Sequence, residues 1–518
     1  DGMEEKAVDF GIRTFADQNG RLALNSRVIL LRGEANCCVF PETGHMPMTS
    51  AEWKTVLTTY QSYGVNCIRF HSHCPPDAAF TAADEIGMMM QPELSHWDPK
   101  TAFESEKSWG YYQLELRQIL FTYANHPSFV MLTFGNELCA GALGHKRMDL
   151  LQKTAEGMDP TRLYAIASNC HYGSIGPDRN SNFYTSSGFY AKLLRGTSSP
   201  MRGFINQQYP NAKTNYGREM KQLRREYSRP VFGFEVGQYE VLPDFDELQL
   251  FHGVTRPDNY FSVREKAERQ GWLPDWRKRV EASGELSLLA YREEVEAAMR
   301  TEELSGISLL SLQDFPGQGT ALVGMLNSHM QPKPFSFADP KRFRKFFADV
   351  LPLILLDRYT YLNTETITAE VRIANYGRRE ISGTCRIRWR DGDKIIKEQV
   401  LPSQVYPCGS LSVVGAISFP AECIPNAGKL TVTASVGGST NSYPVWIYPD
   451  KPFSCPDSVF MTQSPGEAAA ALEEGKSVFL NPPATPDNFP HSIPAQFTTD
   501  FWSVETFGAQ SGFMGCFM

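Results

Sequence analysis

At 518 residues the chain exceeds one ordinary core, and the usual ~100–200 residues per domain predicts about three units, one of them a larger barrel. Its formal net charge of −8 and sequence pI near 5.8 disfavour nucleic acid or an anionic membrane as partner, since both require a basic footprint. With 42% hydrophobic and 21% charged residues, the composition excludes disorder and collagen, and no run reaches the ~18 apolar residues of a spanning helix.

Residues 1–27 hold FGIRTF (10–15), a polar turn at Gln18-Asn19-Gly20 and the start of RLALNSRVILLRG (21–33). Asn-Gly between alternating apolar runs predicts a hairpin. Its pairing partners are expected upstream, so 1–27 reads as the remnant of an upstream β-sandwich domain.

Over residues 28–349 short apolar runs alternate with longer amphipathic stretches, the pattern of a parallel sheet wrapped by helices. Eight strands are predicted: VILLRG (28–33), NCIRFH (66–71), MMMQPE (88–93), FVMLTFGNE (129–137), RLYAIAS (162–168), NFYTS (182–186), PVFGFE (230–235) and GISLLSLQ (306–313). Helical candidates between them include 50–63, 76–86, 110–124, 213–227 and 289–303. This α/β alternation suits a (β/α)₈ TIM barrel, and no glycine-rich phosphate loop follows any strand to favour an open nucleotide-binding sheet. The charge-rich runs 218–229 and 264–270 read as solvated helix faces, and Met88-Met89-Met90 as core.

From 350 to 448 the text becomes TITAEVRIANYG, GTCRIRWRDG, SLSVVGAISFP and GKLTVTASVGG, alternating strands broken by turn residues, which predicts an antiparallel, Ig-like β-sandwich. Residues 449–518 read as the start of a further α/β domain, with helix EAAAALEEG (467–475) and strand SVFLN (477–481). The eleven cysteines, scattered from Cys37 to Cys516 without a CxxC pair or zinc-like Cys/His spacing, predict neither a disulfide framework nor a metal site.

In such barrels chemistry collects at the carboxyl ends of the strands. Glu137 ends the fourth predicted strand and Glu235 the seventh. Retaining glycoside hydrolysis needs two carboxyl groups ~5–5.5 Å apart, one attacking the anomeric carbon and one protonating the leaving oxygen. Asn136, directly before Glu137, is placed to meet a sugar hydroxyl, and Tyr184 to donate its hydroxyl to Glu235. A lone Glu at a strand end is more often a cap or an ion-pair partner, whereas two at matching strands point to catalysis. Glu93 reads equally as structural or as a substrate ligand. Of His71 and His73, one is expected in the pocket. Gln238, Tyr239 and Gln313 read equally as rim or packing residues.

Several segments together resemble glycoside hydrolase family 2: LRGEA (31–35), GVNCIRFHSHCPPDAAFTAADEIG (64–87), ANHPSFVMLTFGNEL (124–138), DPTRL (159–163), NFY (182–184) and PVFGFEVGQY (230–239). The resemblance covers about residues 8–345. It implies Glu137 as acid/base, Glu235 as nucleophile, Asn136 as the amide beside the acid, Tyr184 as the nucleophile's partner and Arg69 as the second-strand arginine near the nucleophile. Three departures accompany it. The family's Ser-His-Tyr-Pro reads His71-Ser72-His73-Cys74-Pro75, leaving open which histidine reaches the sugar. Leu310 stands where a tryptophan commonly floors the pocket, with Phe315 or Trp97 as possible substitutes. No Asn-x-Lys carboxylate clamp follows Gln313, which disfavours a plain glucuronidase.

The expected activity is therefore that of a retaining exo-β-glycosidase removing a terminal β-linked sugar, β-galactosidase-like. A β-mannosidase, arabinosidase or uronic-acid specificity, or an inactive carbohydrate-binding barrel, are the alternatives. The partner set implied is a carbohydrate, with no cofactor, metal, nucleic acid or membrane, and homo-oligomerisation is left open. A periplasmic or secreted location is expected.

Overall fold

The computed structural model describes residues 7–168, 178–186, 188–189, 192–193, 204–451 and 454–490. Parts of the segments read above as 1–27 and 449–518, namely residues 1–6, 452–453 and 491–518, lie outside these.

All eight predicted barrel strands form. They are Leu31–Asn36, Cys67–Phe70, Met89–Gln91, Met131–Thr133, Leu163–Ala165, Tyr184–Ser186, Val231–Val236 and Gly306–Leu309. Parallel pairing joins the first three in order, the sixth to the seventh, the seventh to the eighth and the eighth back to the first. The fourth and fifth pair with one another. Parallel bridges Met90↔Phe129 and Glu93↔Thr133 join the third to the fourth, and Asn182 N donates to Tyr164 O at 2.7 Å between the fifth and sixth. The sheet thus closes on itself. The strands are buried along almost their whole length and mostly apolar, as parallel strands covered on both faces are, with charged and amide side chains such as Arg69 and Glu235 set among them.

Helices fill the outer layer. Ser50–Ser62 begins in a capping box, with Thr49 accepting from Glu52 N and Glu52 reaching back to Thr49 N, which satisfies two otherwise orphaned donors. The helix expected over 289–303 is the end of a 24-residue helix, Trp276–Met299. Its buried stripe includes Ser283, Gly284 and Ser287, and Gly284 lies so close to Phe337 that a Cβ there would sit 2.2 Å from that ring. A further helix, Ala142–Met158, lies over the fifth strand, where Gln152 donates to Tyr164 O.

The predicted hairpin forms from Phe15–Gln18 and Arg21–Leu24, with Asn19 and Gly20 at φ 54° and 76°, the backbone a tight two-residue turn requires. Arg27–Val28 pairs with its second strand, so one partner lies downstream rather than upstream. Phe15 and Leu22 are buried in one cluster with Ile29, Leu31, Val130 and Phe232. The hairpin therefore seals the amino-terminal end of the barrel.

Beyond the barrel two sheets face each other. One holds Val350–Leu355, Thr366–Asn375 and Ser410–Pro420; the other holds Thr360–Leu362, Ser439–Tyr448, Gly428–Val436, Ile381–Asp391 and Lys394–Tyr406. Alternate residues point into a shared core, where Trp389 and Phe419 stack at 4.3 Å. This sandwich is fastened to the long barrel helix through Glu296, 1% exposed. Glu296 pairs with Arg292 at 2.9 Å and Arg300 at 2.5 Å, and accepts from Asn441 at 3.0 Å and the Tyr443 hydroxyl at 2.8 Å. The last described unit is a parallel pair, Val459–Thr462 and Ser477–Leu480, joined by helix Pro465–Glu473.

Candidate active site

Each strand that reaches the upper rim delivers a polar side chain, and Arg69 from the second strand gathers several of them. It is 1% exposed. Its Nε donates to Glu93 Oε1 at 2.6 Å, Nη1 to Glu235 Oε1 at 3.2 Å, and Nη2 to Asn136 Oδ1 at 2.6 Å and Glu93 Oε2 at 3.3 Å. Its charged carbon lies 4.1 Å from the centroid of the Phe234 ring. One guanidinium thereby ties the exits of strands two, three, four and seven, the planar, multidentate work for which arginine is suited.

Glu93 is fully buried and also accepts from Thr133 Oγ1 at 3.1 Å and Ser72 N at 2.6 Å. Burial alone would push its carboxyl up, but the Arg69 guanidinium outweighs this and holds it below the usual carboxylate range. With about four acceptor positions on a carboxylate and four donors around it, Glu93 fits the structural one of its two readings: a fixed anion that aims Arg69.

Glu137 and Glu235 both leave their strands in the left-handed region, at φ 49° and 51°. Few non-glycine residues adopt it, and such strained positions concentrate at functional sites. Just before Glu137, Gly135 has φ 139°, and a Cβ there would lie 2.2 Å from His96 O. Only glycine permits this approach. It lets Asn136 N donate to His96 O at 2.9 Å and Glu137 N to Ser168 O at 2.9 Å, so the fourth-strand exit is pinned to its neighbours on both sides. On the third-strand side this places Trp97, whose Nε1 donates to Glu137 Oε2 at 2.9 Å.

The histidines separate. His71 packs against Trp97 with ring centroids 5.2 Å apart. Burial and then Arg69 depress its ionisation, against the pull of Glu93, Glu235 and Glu137, so a neutral imidazole stands within electrostatic reach of all three carboxylates. His73 instead donates from Nδ1 to His71 O at 2.9 Å and lines a different cavity with Cys74, Ser95, Glu115, Gln118 and Tyr123. Burial, its largest influence, likewise lowers its ionisation.

Two other expected positions are placed elsewhere. Gln313 accepts from Tyr60 Oη at 2.9 Å and donates to Ser328 O at 2.9 Å, so each end of its amide already holds a protein partner. Tyr184 packs against Tyr227, centroids 6.1 Å apart, in the cluster between sheet and helices, while its neighbour Phe183 belongs to the inner cluster. Strand alternation thus turns Tyr184 outward, away from the position imagined for a partner of Glu235.

Three residues gain roles beyond those read from the sequence, Trp97 among them, which was expected only as a pocket floor. Trp97 bonds Glu137. Cys37 faces Arg69 and Glu235, and its thiol is pushed up to about 12 by burial, which makes it inert as a nucleophile. Glu34, fully buried in the LRGEA strand, accepts from Ser311 Oγ at 2.7 Å and Leu312 N at 2.9 Å, and burial pushes it up to about 8. Only the run of an acidic residue inside an otherwise apolar strand could have flagged it. Among the described residues no group of three or more His, Cys, Asp or Glu is arranged to hold a metal ion.

Comparison with known proteins finds likenesses over the barrel and the segments that follow it. Residues 16–255 match the family described as "Glycosyl hydrolases family 2, TIM barrel domain", while 365–449 and 459–518 match two domains of unknown function. A β-galactosidase of Vibrio vulnificus is 24% identical over 172 residues, 32% of this chain and 16% of its own length. Another, β-galactosidase 2 of Enterobacter cloacae, is 26% identical over 166 residues, 31% of this chain and 16% of its own length. The chain therefore spans a small part of these curated relatives. Among solved structures, a β-D-mannosidase from Dictyoglomus thermophilum superposes with TM-score 0.56 at 16% identity, over 87% of this chain and 55% of that one. An exo-chitosanase from Amycolatopsis orientalis gives TM-score 0.55 at 13% identity, over 84% and 51%. These two likenesses concern the fold. Residues 16–255 of the chain thus match the TIM barrel domain of glycosyl hydrolases family 2.

Proposed function

We propose that the protein is a retaining β-glycosidase acting on the terminal sugar of a β-linked glycan. Glu235 attacks the anomeric carbon and Glu137 protonates the departing oxygen; water, deprotonated by Glu137, then releases the sugar from Glu235. The observation that carries this reading is the Arg69 node. One buried guanidinium bonds Glu235 and the amide next to Glu137, and so fixes the direction of the nucleophile relative to the fourth-strand exit. Asn136, with its Oδ1 held by Arg69, has its amide nitrogen oriented for a sugar hydroxyl beside the reacting carbon.

For the sugar, β-galactoside is the first choice, supported by the β-galactosidases among the relatives. The test is a panel of aryl β-glycosides (galactoside, mannoside, arabinoside, glucuronide, galacturonide) with wild type, Glu235→Gln and Glu137→Gln. The reading expects turnover of one member, a loss of at least about 10³-fold in Glu235→Gln, and product first released as the β-anomer by proton NMR. Near-wild-type activity of Glu235→Gln, or first release of the α-anomer, overturns it. Binding of a sugar without turnover of any member by the full-length protein favours the inactive carbohydrate-binding reading.

A further inference from the structure

The hydrogen bond from Trp97 to Glu137 gives the indole two tasks at once. Trp97 follows Glu93 on the loop leaving the third strand, and the parallel bridge Trp97↔Asn136 fixes its backbone beside the residue preceding Glu137. Its N–H occupies Glu137 Oε2 at 2.9 Å. A hydrogen on that nitrogen can only be donated, so Oε2 is kept as an acceptor. A carboxyl with one oxygen tied is held in a single orientation, which is what proton delivery to a leaving oxygen requires.

The rest of the ring is open. Trp97 is 54% exposed, an uncommon state for the largest apolar side chain, and its packing partner is His71 at an interplanar angle of 78°. An indole pinned at its nitrogen and bared on the remainder loses little freedom when a flat apolar face settles on it. The group nearest the acid/base is by definition the leaving group. Sugars present such faces through their axial C–H bonds, and aromatic side chains supply the matching surface.

We infer that Trp97 is both the positioning residue of Glu137 and the platform for the first leaving-group unit, so that the substrate is an oligosaccharide whose departing portion is itself a sugar ring. This rests on the assignment of Glu137 as acid/base. It deepens that reading by naming the side of the substrate that the relatives leave undefined.

The two tasks separate by substitution. Trp97→Phe keeps a ring and deletes the N–H; Trp97→Ala deletes both. The probes are lactose, methyl β-galactoside and 2,4-dinitrophenyl β-galactoside, or their counterparts for whichever sugar the panel selects. Dinitrophenolate departs without protonation, so Trp97→Phe should retain glycosylation of that substrate within about 3-fold, yet lose about 10–100-fold in kcat with lactose and methyl galactoside, the range of one hydrogen bond to a charged group. Its alkaline pH limb should move upward. Trp97→Ala should in addition raise KM for lactose several-fold but not for methyl galactoside.

A measurement independent of turnover completes the test: the indole N–H resonance absent from Trp97→Phe should titrate with pH in the ¹⁵N-tryptophan-labelled protein and cease to do so in Glu137→Gln. An indole signal indifferent to Glu137→Gln, or equal losses on all three substrates, overturns the inference while Glu235→Gln stays inactive. If Glu235→Gln is active, the catalytic reading itself has failed, whatever Trp97 does.

Discussion

Removing the Arg69 charge should expose how much of the site is held by one side chain. In Arg69→Met the volume is roughly kept, but Glu93, fully buried, retains only Thr133 Oγ1 and Ser72 N of its four donors. Breaking a buried pair by deleting one partner costs about 3–5 kcal/mol, because the survivor is left as an uncompensated charge. At about 2–4 °C per kcal/mol for a domain of this size, the unfolding midpoint at pH 7 should fall by roughly 6–20 °C.

The pH dependence is sharper evidence than the size of the drop. In the wild type the Glu93 carboxyl is held low against its burial, so its contribution is fully present above the ordinary value of 4.5 and lost as pH falls through the lowered one. In Arg69→Met burial outweighs the donors that remain and raises that carboxyl, so the variant loses stability as pH rises above 4.5. The gap between the two proteins should therefore widen from pH 4 to pH 7, and Arg69→Met/Glu93→Gln should recover part of it and flatten the curve. Calorimetry or intrinsic-fluorescence melts across that range provide the assay. A gap equal at both pH values, or a double variant no better than the single one, would refute an ionised Glu93 at the centre of the mouth.

Two further outcomes follow from buried carboxyls away from the chemistry. Glu34, pushed up to about 8, contributes stability that is fully present below 4.5 and lost as pH rises towards 8; Glu34→Gln should remove this, so the midpoint difference between wild type and variant should shift steadily over pH 5–8, and parallel curves would show that Glu34 is already ionised. Glu296→Ala leaves Arg292 and Arg300 without their shared carboxylate, costs about 3–5 kcal/mol and should render the junction near residue 350 susceptible to limited proteolysis, whereas an unchanged digestion pattern would mean the sandwich is held by other contacts.

The barrel strands were legible because each is a short, mostly apolar run with its polar residues gathered towards one end, as in MMMQPE and PVFGFE. Helices were less so where their buried stripe is not apolar. Trp276–Met299 buries Ser283, Gly284 and Ser287, with the Ser287 hydroxyl donating to Tyr239 O, and a search for hydrophobic periodicity passes over such a face. Ala142–Met158 buries Gly144 and Gln152 and hides for the same reason. At the site, strand-end carboxylates could be found by position alone. Tyr184 could not be oriented, since a one-residue change of phase on a strand exchanges inside for outside. The bond from Trp97 to Glu137 was invisible because it depends on Gly135 allowing two loops to touch.

The hairpin at Phe15–Leu24 has a consequence for traffic. With Phe15 and Leu22 stoppering the foot of the barrel, the described residues leave the mouth at the carboxyl ends of the strands as the way to Glu137 and Glu235. If hydrolysis runs in the two steps proposed, the departing fragment must clear that mouth before water can take its place, and its residence on the exposed indole of Trp97 would decide whether water or another sugar arrives next.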